Sequence, residues 1–213
     1  MSSLINLYNL DLLTKGGPVM FILLGFSVLA LFIIILKLIQ FSIVRVSNTN
    51  SIDNIISKLN KTNAKKLLSD IQKIKNPIAN IIEVVIITKH DRRFNRESRE
   101  SEISRISSIQ IRNLENFLCG LEVIASISPL LGLFGTVLGM IKAFLNLEKA
   151  GSQVDPALLA GGIWEALLTT AFGLAVAIPA LTAYHLFENK ISNTKDKMKD
   201  SIIRVNTLLD FKK

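Results

Sequence analysis

The chain has 213 residues, 49% hydrophobic and 20% charged, with 25 Lys and Arg against 17 Asp and Glu, a net charge of +8 and a mean hydropathy of +0.42. So positive a hydropathy beside so many charges excludes both a soluble basic domain and an all-apolar bundle; the two kinds of residue must be segregated along the chain. One Cys excludes a disulfide framework and a multi-Cys metal site, two His leave little room for a His-ligated metal, and no cofactor is expected.

Residues 1–17 carry one base, Lys15, and are read as a short segment outside the membrane. Pro18 to Leu36 then runs for 19 residues without Asp, Glu, Lys or Arg. About 20 apolar residues at ~1.5 Å each cross a ~30 Å hydrocarbon core, so a first span is predicted over 18–41. Its apolar run is too long for a signal-peptide core, and Lys37, Gln40 and Arg45 follow it instead of a small-residue cleavage site. It is rich in Leu, Ile, Phe and Val and reads as lipid-facing, with Lys37 at the interface.

Residues 42–118 carry 14 Lys and Arg against 8 Asp and Glu and are predicted to be a helical domain. Helix is expected over 51–90, with Asn76 as N-cap and Pro77 at the first helical position. Leu67, Leu68, Ile71 and Ile74 form one apolar face; Ile78, Ile81, Ile82 and Val85 form another. A polar turn is predicted over 90–97. Ile103, Ile106, Leu114, Phe117 and Leu121 then predict a helix that enters the second span without a break.

The second span is predicted over 119–144, the connection over 145–160 and the third span over 161–187. Val123 to Ile141 and Ala166 to Phe187 are the 19- and 22-residue stretches without acidic or basic side chains. Asp155 and Pro156 read as cap and first residue of the helix leading into the third span. The C-terminal segment 188–213 continues that helix: Phe187, Ile191, Thr194, Met198, Ile202, Val205 and Leu209 recur at a heptad-like spacing. The stripe serves packing against 98–118, a seam between subunits, or both.

Three crossings put 42–118 and 188–213 on one side, and 21 of the 25 bases lie in 42–118 and 187–213. The positive-inside rule makes that side cytoplasmic, with the N-terminus outside. The basic excess is thereby assigned to topology and to anionic membrane lipid. No nucleic-acid partner is expected, because Phe94 is the one aromatic residue near Arg92, Arg93, Arg96 and Arg99.

The second and third spans differ from the first in their small residues. Pro129, Gly132, Gly135, Thr136 and Gly139 occur in the second; Thr169, Thr170, Gly173 and Pro179 occur in the third. Small residues let helix backbones approach closely in lipid, and Pro129 and Pro179 are expected to kink their helices. Counted from outer ends at 145 and 161, Thr136 and Thr170 each lie nine residues in, about 13 Å deep. A helical Thr has two uses here: bonding its own i−4 carbonyl, or lining a hydrated path. The matched depths weaken the first without deciding between them. Glu165 lies one turn inside the outer boundary with Thr169 at i+4, while Glu122 and Lys142 read as interfacial and Trp164 as part of an aromatic belt. No carboxylate occupies the middle of any span, and a threonine stores no proton near neutral pH. Proton passage would therefore need an acid from another chain.

Ser128-Pro-Leu-Leu-Gly-Leu-Phe-Gly-Thr-Val-Leu-Gly-Met140 and the run from Gly161-Gly-Ile-Trp-Glu to Ala-Ile-Pro-Ala180 resemble the second- and third-span signatures of the MotA/TolQ/ExbB proton-channel family. Three spans, rather than the four of MotA, make the chain most similar to ExbB, then TolQ. The resemblance implies a pentamer in the bacterial inner membrane around an ExbD- or TolR-like single-span partner carrying an intramembrane Asp. It implies proton-driven work on an outer-membrane transporter through a TonB-like protein, or envelope integrity in the TolQ case. It assigns Thr136, Glu165 and Thr170 to the proton path; Thr169 stands where Ala is common. The fold class expected is thus an all-α membrane protein with three transmembrane helices, long cytoplasmic helical extensions and a pentameric assembly. A structural membrane scaffold is the alternative from another class. An enzyme is not expected, since no nucleophile–base pair, phosphate loop or metal cluster is present; His90, His185 and Cys119 read as surface or packing residues.

Overall fold

The computed structural model describes residues 17–44, 56, 64–72, 74, 76–91, 93–150 and 156–210. All regular elements among them are helices: α1 (Gly17–Ile43), α2 (Ala64–Ile71), α3 (Pro77–His90), α4 (Arg96–Glu115), α5 (Leu118–Ala150) and α6 (Pro156–Asp210). Helices α1, α5 and α6 are each long and apolar enough to cross a membrane. Residues 1–16 and 151–155, and with them the Asp155 cap, lie outside the described residues, as do 51–55 and 57–63 of the helix expected over 51–90.

The chain divides into two compact units, Met1–Ile35 with Phe117–His185, and Leu36–Asn116 with Leu186–Lys213. In the first unit α1 begins at Gly17, whose φ of +65° is a left-handed value that glycine adopts without penalty. Val19, Met20, Leu23, Ala30 and Ile33 of α1 are buried, while Phe21, Val28, Leu31, Phe32 and Ile35 on its other side are exposed. That division suits a helix with one protein-facing stripe and a broad lipid-facing surface. Both α5 and α6 run through a proline, Pro129 and Pro179, which have no N–H to donate to the carbonyl four residues back.

In the second unit, Asn76 caps α3 by accepting from the Ile78 N–H at 2.9 Å, with Pro77 at N1, as the sequence predicts. Ile78, Ile81, Ile82 and Val85 are fully buried; each such side chain stabilises by about 1.5–3 kcal/mol. Residues 91, 93, 94 and 95 make the turn between α3 and α4. The Arg93 side chain donates to both Asp91 oxygens, and this hydrogen bonding holds the Asp91 carboxyl down at about 2. Asn95 caps α4 by accepting from the Ser98 N–H. Along α6 the stripe buries Phe187, Ile191, Thr194, Met198 and Val205 within the same chain; Ile202 and Leu209 are half-buried. Phe187 stacks on Phe41 at 5.6 Å, and the Lys190 ammonium lies 5.4 Å from the Phe41 ring centroid.

One expectation is corrected. The helix does not enter the second span without a break: α4 stops at Glu115, Asn116 is extended in ψ, and Phe117 takes φ +66° before α5 starts at Leu118. Phe117 is 65% exposed, so it does not continue the apolar face of Ile103 and Leu114. A left-handed Phe carries a steric cost of about 1–2 kcal/mol. Lys37, expected at the interface, is held inside the protein and is 1% exposed. Its ammonium donates to the Leu114 carbonyl at 2.6 Å and to Gln40 Oε1 at 3.0 Å, and the Gln40 amide donates to the Asn113 carbonyl at 2.9 Å. The last carbonyls of a helix have no partner of their own, and a cation there also suits the helix dipole. Lys37 and Gln40 supply that cap to α4 from α1.

Candidate ion pathway

The site rests on the seam between α5 and α6. Along α5, Ser128, Gly132, Gly135, Gly139 and Ala143 recur every three or four residues and so share a face. Gly162, Ala166, Thr169 and Gly173 do the same on α6. The two rows meet in antiparallel order. A Cβ placed on Gly173 would stand 2.6 Å from the Ser128 carbonyl oxygen and 3.0 Å from Gly132 Cα. One on Gly132 would stand 3.0 Å from the Thr169 carbonyl oxygen, and one on Gly135 2.7 Å from Thr169 Oγ1. Gly139 packs on Ala166, and Gly162 abuts the Ala143 methyl. At Gly132 and Gly173 backbone meets backbone with no side chain between, while Gly135, Gly139 and Gly162 make room for the side chains of Thr169, Ala166 and Ala143.

The seam fixes the hydroxyls. Thr169 is 1% exposed and donates to the Ala166 carbonyl at 2.7 Å, with the Gly132 carbonyl at 3.3 Å. Thr170 is half-buried and donates across the seam to the Gly132 carbonyl at 3.2 Å. Thr136, also half-buried, donates to its own Leu133 carbonyl at 2.6 Å. Gly132 and Thr136 are one turn apart on α5, which puts Thr136 one turn from the carbonyl that Thr170 binds, while its own hydroxyl bonds within α5. Each has lone pairs left to accept from water or from another group. Thr136 opens on a groove of about 540 Å³ along the C-terminal half of α5, lined otherwise by Val137, Met140, Ile141, Phe144, Leu145 and Glu148. Ser128 is buried and donates to the Ile124 carbonyl, keeping its own polar atom satisfied beside Pro129. Pro179 is exposed, and Thr182 donates to the Ile178 carbonyl beside it.

Glu165 does not stand alone. Lys142 of α5 reaches it from across the seam, with Nζ 3.2 Å from one carboxylate oxygen and 3.4 Å from the other. Below the pair lies a cavity of about 110 Å³ that Gly17, Gly135, Gly139 and Thr169 also line. Trp164 is exposed next to Glu165. Among the described residues no group of three or more His, Cys, Asp or Glu could hold a metal ion. The pairing of Lys142 escaped the sequence, although the signal was there: counted from 145 and 161, the two residues lie at nearly the same depth.

Residues 54–200 match the model of the MotA/TolQ/ExbB proton channel family, well over half of the chain. The chain belongs to that family. Relatives are similar at two levels. A biopolymer transport protein ExbB homolog of Methanothermobacter thermautotrophicus is 30% identical over 191 residues, 89% of this chain and 66% of the relative. The Tol-Pal system protein TolQ of Haemophilus influenzae is 40% identical over 100 residues, 47% of this chain and 43% of the relative. A biopolymer transport protein ExbB of Pseudomonas putida is 39% identical over 98 residues, 46% of this chain and 30% of the relative. The chain thus spans less than two thirds of the length of these relatives. The family is one of proton channels, and the seam with Thr136, Thr170 and Glu165 lies inside the matched residues.

Proposed function

We propose that this chain is an ExbB-like subunit that lets protons drive mechanical work in the inner membrane. In this reading five copies surround an ExbD- or TolR-like partner, the N-terminus is periplasmic, and α4 and the end of α6 are cytoplasmic. The output is carried by a TonB-like protein to outer-membrane transport. The observation that supports it best is the seam itself. Two apolar helices are held backbone to backbone, with Thr136 one turn from the carbonyl that Thr170 binds and no carboxylate in the middle of either described span.

Such a wall can order water and hand on hydrogen bonds, but it stores no proton. An acid from the partner helix supplies that step. Protons enter past Glu165, reach the partner carboxylate beside Thr136 and Thr170, and neutralise it; release to the other side restores its charge. Each elementary charge crossing ~100 mV gains ~2.3 kcal/mol, which biases motion of the partner relative to the ring. Thr169 serves both the seam and the cavity under Glu165. Pro129 and Pro179 leave backbone carbonyls free for hydration at the inner half. The TolQ-like role in envelope integrity is the second reading, favoured by the 40% identity to the Haemophilus influenzae protein.

The test is co-reconstitution with an ExbD- or TolR-like single-span membrane protein. Thr170→Val keeps the side-chain volume and removes the hydroxyl. Proton flux should fall at least tenfold, which is ~1.4 kcal/mol in barrier, while the complex still co-purifies. Unchanged flux in that variant rejects the pathway, and a structural scaffold predicts that outcome.

A further inference from the structure

We propose that Lys142 is a selectivity residue of the outer mouth, a role that rests on the reading of Glu165 as the entry acid. Its ammonium sits beside both carboxylate oxygens of Glu165, the place a bare metal cation would take. The backbone on either side is pinned by the seam: Gly139 against Ala166 one turn before, Gly162 against Ala143 just after. The pair's reach is therefore set by the fold and not by chance meeting of two long side chains.

Among the described residues lining the cavity below, Lys142 and Glu165 are the only charged ones, a cation and a carboxylate that offset each other. A neutral mouth does not concentrate Na+ or K+, whereas a lone carboxylate would. The cavity is far larger than the ~10–15 Å³ that one water needs, and Thr169 Oγ1 keeps acceptor capacity at its wall. Lys142 is 65% exposed and Glu165 22%. A proton can reach the carboxylate along hydrogen-bonded water while the ammonium stays beside it, whereas a metal ion would need the place that the ammonium fills. Selection at this mouth is by occupancy: a tethered cation fills the site that a free one would compete for.

The test reads Glu165 directly and needs neither partner nor flux. Membranes containing the full chain are treated with a hydrophobic carbodiimide, which modifies protonated carboxyls, and modification of Glu165 is followed by mass spectrometry in sodium chloride and in choline chloride. Glu165→Gln gives the background. Wild type is expected to react slowly and equally in the two salts. Lys142→Met is expected to react several-fold faster in choline and to be slowed by sodium; Lys142→Gln repeats this should the Met variant be poorly inserted. Lys142→Arg retains the wild-type behaviour. Equal rates in wild type and both neutral variants, or a raised rate that sodium does not slow, overturn the proposal. A failure of proton flux with the partner would instead bear on the pathway alone.

Discussion

Between α5 and α6, glycines at 132, 135, 139, 162 and 173 bring two backbones together. Around α3, close packing is reached instead with Ile78, Ile81, Ile82 and Val85. The contrast follows from the surroundings. Within a lipid-spanning pair, burying a Leu gains little, because acyl chains are as apolar as the partner helix; contact comes from small residues and close backbones. Outside the spans, where charged residues crowd the surface, removing aliphatic area from water is the driving term. One chain thus uses opposite side-chain sizes to the same end, and the small-residue solution leaves Thr136 and Thr170 half-exposed along the seam.

Opposite substitutions should break the two regions. Ile82→Ala removes a fully buried side chain and should cost about 2–5 kcal/mol; it is checked by thermal unfolding of the detergent-solubilised protein, with loss of protection against proteolysis in α3. Gly173→Ala adds one methyl where the Ser128 carbonyl oxygen lies 2.6 Å away. It should cost about 1–3 kcal/mol by overpacking and lower the temperature at which the complex aggregates in fluorescence-detected gel filtration. An equal tolerance of both changes would erase the distinction.

The smallest effect belongs to the exposed turn. Arg93 holds Asp91 below the ordinary carboxylate value of 3.8, at about 2. A depressed carboxyl contributes stability that is fully present above its unfolded value and is lost as pH falls through its folded one. The melting difference between wild type and Asp91→Asn should therefore be slight at neutral pH, shrink as pH falls below 3.8 and vanish only below about pH 2. A difference that grows on acidification contradicts the Arg93 pairing.

Much of this fold is legible in the sequence. The three spans follow from long runs free of charge, the Asn76 cap from Asn-Pro, and the unbroken α6 from the regular stripe beyond Phe187. What is not legible depends on partners distant in sequence. Lys37 looks interfacial because it sits near the end of a span, and only the fold brings the Leu114 carbonyl to it. Phe117 carries no turn chemistry, so its left-handed φ has no local signal. For the candidate site, the depths of Thr136 and Thr170 can be counted from the span ends. That Thr169 faces into the seam, while Thr170 reaches the Gly132 carbonyl, depends on helix rotation, which residue counting does not supply.

The central claim is that the hydroxyl level of the seam is wet although it lies deep in an apolar span. Single cysteines at Thr136, at Thr170 and, as a lipid-side control, at exposed Leu130, placed in a Cys119→Ser background, test it most directly. With the assembled complex in native membranes, a small water-soluble thiol reagent should modify the first two and spare the third. Cysteines at 136 and 170 as inert as the one at 130 would contradict a hydrated path between these helices.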